Sequence, residues 1–180
     1  MKRLATIFLL FLSFNLYSQI IAEKAWPKCI QREFNLIKKQ NVDTVLVYSY
    51  YFGPWNNLPD SCNNYPSVSF IWRKDNKYYG KNIDCGSNIS NDFLVSSTPL
   101  KFFVSHIKIF KLRETYFKTH MFLPPIPTDG SWENLTLMTA KGQIPLVLSE
   151  NQRVDKIWEQ FHWIKATIEA IDITKSELKR

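Results

Sequence analysis

Hydrolytic or metal chemistry needs a few side-chain types at short, fixed spacing, and this chain offers three histidines, scattered carboxylates and three cysteines. His106, His120 and His162 stand 14 and 42 residues apart. None falls in an H-E-x-x-H or C-x-x-C arrangement that would set ligands on one face of an element. A metal site is therefore not expected. No G-x-S-x-G turn presents a serine nucleophile either, because Gly86-Ser87 and Gly130-Ser131 lack the second glycine. Glycosidic chemistry would need two carboxylates about 5–10 Å apart across a cleft. Glu114, Glu133 and Glu150 fall in or beside expected loops with nothing local to pair them, and they read as solvated charges. The five glycines form no phosphate-cradling loop, which argues against a nucleotide site, and no cofactor is expected.

The three cysteines leave one over. Cys62 lies upstream of an expected β-hairpin and Cys85 just beyond its second strand, so closing the hairpin draws their backbones together. A Cys62 to Cys85 disulfide is the expectation, contributing roughly 3 kcal/mol in the chain-entropy view. Cys29, beside Ile30 and Phe34, reads as a small buried hydrophobe.

Aromatic residues make up 15% of the chain, a surplus that apolar faces only partly absorb. Trp55 sits in a proline- and asparagine-rich stretch. Trp163 projects away from the apolar stripe of a helix expected over residues 151–171. Exposed tryptophans mark interfaces, so Trp55 and Trp163 are the candidate interface residues, with burial of Trp163 in a sandwiched helix as the competing reading.

Ile30, Phe34 and Ile37 recur at helical spacing over residues 23–40, and Asn41 ends the run. Residues 42–52 (VDTVLVYSYYF) are β-branched and aromatic on both alternating faces, as in a central strand covered on both sides. Residues 68–83 read as a hairpin around Asp75-Asn76, pairing Trp72 with Tyr79 and Val68 with Ile83. Ser97-Thr98-Pro99 starts a second helix, although His106 to Leu112 would also suit a strand. Residues 135–140 and 144–148 flank Lys141-Gly142-Gln143 as a second hairpin, and Pro145 sends its last strand to an edge. Val154, Ile157, Trp158, Phe161, Ile164, Ile168 and Ile171 then form one apolar stripe, followed by a charged tail expected to fray. The fold class is α+β: a single domain with a mainly antiparallel sheet of about five strands packed by three helices.

Residues 1–18 have signal-peptide order, with Lys2 and Arg3 before an apolar run from Leu4 to Leu12 and a polar end at Ser18. The expectation is export from a bacterial cytoplasm, with residues 19–180 forming one periplasmic or extracellular domain without stable membrane insertion after cleavage. A retained anchor is the alternative. Without Lys2 and Arg3 the net charge is +5, with no dense basic run, so nucleic acid is not an expected partner. With no catalytic spacing in view, the chain reads as a non-enzymatic binding or interaction module of the cell envelope, its partner a protein or an envelope component. The alternative is a hydrolase whose site is assembled only in three dimensions.

Overall fold

The computed structural model describes residues 26–52, 67–84, 88–112 and 130–179. Helix α1 (Lys28–Lys38) follows Pro27, whose missing amide hydrogen is no loss at a helix start. It buries Ile30, Phe34 and Ile37. Each such side chain contributes about 1.5–3 kcal/mol on burial. Asn41 closes the segment at a φ of 59°, a conformation that asparagine tolerates better than most residues.

Strand β1 (Thr44–Phe52) then enters the middle of an antiparallel sheet. The hairpin of β2 (Val68–Lys74) and β3 (Lys77–Asp84) has the expected register, Trp72 opposite Tyr79 and Val68 opposite Ile83. Asp75 and Asn76 both carry positive φ, as a tight two-residue hairpin turn requires. Short strands β4 (Asn88–Ile89) and β5 (Phe93–Leu94) both pair with β3. After helix α2 (Thr98–Ser105) come β6 (Ser131–Thr139) and β7 (Gly142–Ser149), and the sheet order is β4-β3-β2-β1-β6-β7, with β5 also on β3. Strand β7, which contains Pro145, is the edge. Residues 107–112 are helical, so the strand alternative for His106 to Leu112 falls away.

Period-two alternation sorts the sheet into two faces. Val45, Val47, Phe70, Trp72 and Ile83 pack beneath α1. Leu46, Ile71, Leu135, Leu137, Leu146 and Leu148 face α2 and the C-terminal helix. Strand β1 is therefore covered on both sides, and the fold is an α+β domain with helices on both faces of the sheet.

The C-terminal region departs from the single helix expected over residues 151–171. Ser149 accepts a hydrogen bond from the Gln152 amide while Gln152 accepts one from Ser149, a capping box that starts a short helix α3 (Glu150–Val154). Asp155 then caps a 3-10 turn (Lys156–Trp158), and only at His162 does α4 (His162–Leu178) begin. Val154 and Ile157, counted in the stripe, are 70% and 47% exposed. The tail does not fray at Thr174: Thr174, Glu177 and Leu178 are buried in the last turns of α4.

Among the described residues, no helix is long and apolar enough to cross a membrane. The expected signal peptide, residues 1–18, lies outside the described residues.

Candidate functional site

Strand alternation puts Glu133, Leu135 and Leu137 on the same face of β6, so a carboxylate enters a row that is otherwise leucine. Glu133 is 7% exposed, not the solvated charge its sequence neighbourhood suggests. Its burial is matched by a full set of donors. Oε1 accepts hydrogen bonds from the Tyr48 hydroxyl at 2.9 Å and from Lys175 Nζ at 2.7 Å. Oε2 accepts from Arg153 Nη2 at 2.7 Å and Nε at 3.1 Å. Arg153 also holds Asp172 through Nη1, at 2.9 and 3.1 Å.

This network joins β1, β6, the end of α3 and the last turns of α4. Burial acts to raise the Glu133 carboxyl, but the hydrogen bonds from Lys175 and Arg153 outweigh it and hold the group below its ordinary value. Burial, together with the neighbouring Glu133 charge, pushes the Tyr48 phenol up, so it remains a neutral donor. Tyr48 and Glu133 thus form a fixed pair with no proton to exchange near neutral pH.

Beside this network the sheet face turns polar. A groove of about 410 Å3 is floored by Tyr48, Ser69 and Asn82 and flanked by Tyr50, Ser67 and Asp84. Its other wall is the end of α4, with Lys175, Leu178 and Lys179. Asn82 is held on both sides: its Oδ1 accepts from Ser69 Oγ at 2.8 Å, and its Nδ2 donates to the Leu178 carbonyl at 3.0 Å. Tyr50 is 39% exposed at the rim. The volume falls within the roughly 300–1,000 Å3 usual for small-molecule sites. Two clefts elsewhere on the sheet are less organised. One lies between α1 and the β6–β7 turn, lined in part by Phe34, Lys38 and Met138, and the other is an open polar surface around Arg73 and Asp75.

The sequence candidates distribute otherwise. Trp163 is 4% exposed and packs against Trp158 and Phe161, so its place on an interface is corrected to the core. The reason is the break before His162: once the helix starts there, Trp163, Thr167, Ala170 and Thr174 share its buried face. Trp55 lies outside the described residues.

Cys62 and Cys85 also lie outside them, so no two described cysteines face each other at bonding distance. Cys29, however, is disulfide-bonded. Its partner lies outside the described residues, as does the expected Cys62 to Cys85 pairing.

His106 stacks on Phe102 with ring centroids 4.0 Å apart, and its Nδ1 lies 2.9 Å from the Phe102 carbonyl. This is a helix-end contact, remote in role from the groove. His162 is exposed at the start of α4. His120 and Glu114 lie outside the described residues. Glu150 accepts a hydrogen bond from Ser131 Oγ at 3.0 Å. No cluster of three metal-ligating side chains occurs among the described residues.

Two sequence signals point at the groove. Glu133 occupies an inward position by simple alternation with Leu135 and Leu137. Lys175 follows Ile164, Ile168 and Ile171 at helical spacing, which places a cation at the end of an apolar stripe. Comparison with family models, with curated proteins and with solved structures returns no match, so the site is read from its own residues.

Proposed function

We propose that this chain is an exported, non-enzymatic binding module of the cell envelope whose binding site is the groove between β1, β2, β3 and the end of α4. One observation carries the reading. The most buried carboxylate at the groove, the natural candidate for a general base, has both oxygens occupied by three partners, Tyr48, Lys175 and Arg153. A general base must reach the proton it removes, within about 2.6–3.2 Å. Glu133 is instead committed to ordering the floor and wall. What the groove offers an occupant is a rigid set of hydroxyl, amide and ammonium groups beside an exposed ring, which suits recognition more than bond cleavage.

Export of residues 19–180 after loss of the basic, apolar leader is part of this proposal, supported by the order of charge, apolar run and small residues over residues 1–18. The test is an amide-resolved NMR titration with fractionated small molecules from the envelope. Saturable shifts clustered at Tyr50, Ser67, Asn82 and Lys175, with the ligand recovered unchanged, are the expected result. Shifts elsewhere, or conversion of the ligand by the wild-type chain that is lost in Lys175→Ala, would overturn the binding reading in favour of a hydrolase.

A further inference from the structure

We infer that the groove takes a neutral, hydroxyl-rich ligand, a short saccharide, an inference that rests on the groove's being the binding site. Charge comes first. Among the described residues, the positive groups in and behind the groove are Lys175, Lys179 and Arg153, and the negative ones are Glu133, Asp172 and Asp84. They balance one for one, so a ligand of either sign meets no net attraction. The groove also lies at the C-terminal end of α4, whose exposed carbonyls carry partial negative charge and disfavour an anion.

Hydrogen-bonding capacity points the same way. Each floor group is already held on one side and retains capacity of one kind on the other. The Tyr48 hydroxyl donates to Glu133 and keeps an acceptor lone pair; Ser69 Oγ donates to Asn82 and does the same. Asn82 Nδ2 spends one hydrogen on the Leu178 carbonyl and keeps a second. Lys175 Nζ gives one proton to Glu133 and has two more.

The groove therefore offers both kinds of capacity, acceptors on Tyr48 and Ser69 and donors on Asn82 and Lys175. A phosphate or carboxylate, which only accepts, would leave the oxygens of Tyr48, Ser69 and Asp84 facing its negative charge. An ammonium, which only donates, would face Lys175 and Lys179. A hydroxyl both donates and accepts, so a hydroxyl-rich ligand answers both kinds of group. The Tyr50 ring at the rim supplies the apolar platform that the C–H face of a sugar ring needs.

The experiment titrates the chain with maltotriose and chitotriose as neutral saccharides, and with sodium phosphate and alanine as anionic and zwitterionic competitors. Amide shifts are read at Tyr50, Asn82 and Lys175. The expected result is a saturable response there to at least one saccharide and none to phosphate or alanine. Tyr50→Ala should weaken that response about tenfold or more while the fold is kept, and Val104→Ala, an exposed change on α2, should leave it unchanged. If phosphate or alanine moves these amides and the saccharides do not, the saccharide assignment is overturned and the groove remains the site. If saccharides act only at other residues, or none of the four probes moves the groove, the assignment fails together with the reading of the groove.

Discussion

The Tyr48 hydroxyl donates a 2.9 Å hydrogen bond to the Glu133 carboxylate from the neighbouring central strand. The register sets Tyr48 opposite Leu135 and Tyr50 opposite Glu133, so the phenol reaches its acceptor diagonally across the ladder. That diagonal fixes the boundary between two parts of one sheet face. On one side lie the leucines that pack against α4, and on the other lie the polar groups of the groove. Lys175 and Arg153 close the same carboxylate from α4 and α3, and the groove wall is thereby tied to the sheet.

Acid should loosen this tie. Glu133 and Glu33 are both held below their ordinary values, burial being outweighed by Lys175 and Arg153 at one and by Lys81 and Arg32 at the other. A carboxyl depressed on folding contributes stability that is present above its unfolded value, about 4.3, and is lost as pH falls through the folded value. Thermal scans from neutral pH downward should therefore show melting temperature falling more steeply below about pH 4.5. Glu133→Gln should melt lower at neutral pH, by about 4–8 °C for a loss of roughly 2 kcal/mol, since Arg153 and Lys175 lose their partner but can rehydrate. It should also show a shallower acid decline. An acid profile parallel to wild type would contradict the role given to Glu133.

Trp163→Ala should be severely destabilising. The ring lies in the core among Trp158 and Phe161, and removing a buried aromatic costs about 3–5 kcal/mol. In a domain of this size that lowers the melting temperature by roughly 6–20 °C. A variant melting within a few degrees of wild type would return Trp163 to the surface.

Gly80 should tolerate no side chain. A Cβ there would lie 2.6 Å from Phe93 Cε2 and 2.9 Å from Val95 Cγ1, because the side chain of Phe93, the residue paired with Gly80 on β5, lies over this position of β3. Gly80→Ala should cost about 1–3 kcal/mol by overpacking, read in denaturant titration, and Phe93→Ala in the same chain should recover part of that loss. Strictly additive losses in the double variant would show that the two do not meet.

Peptide mapping without reduction should recover Cys29 in a crosslinked peptide, and reduction should destabilise the chain by roughly 2–4 kcal/mol. Recovery of Cys29 as a free thiol from undenatured protein would contradict the bond.

How much of this was legible in the sequence depends on how local the signal was. The β2–β3 register was readable because turn chemistry at Asp75-Asn76 and the aromatic pair Trp72–Tyr79 agree at short range. The double coverage of β1 was readable because both alternating faces are apolar. The helix break at Asp155–Phe161 was not, because an apolar period continues across it; the capping box at Ser149 and Gln152 held the contrary signal, and Val154 and Ile157 face solvent as a result. Trp163 was misplaced by that one error of phase. The groove was hidden for another reason: Tyr48, Glu133 and Lys175 are 85 and 42 residues apart along the chain, and only the sheet order brings them together.

Binding of a neutral saccharide in the groove beside Tyr48 and Glu133 is tested most directly by the intermolecular NOE pattern of the bound complex. Ring-face protons of bound maltotriose or chitotriose should give their strongest NOEs to the Tyr50 ring, with weaker ones to the Asn82 amide and the Lys175 side chain. Strongest NOEs to Phe34, Val42 and Met138, in the cleft between α1 and the β6–β7 turn, would contradict it.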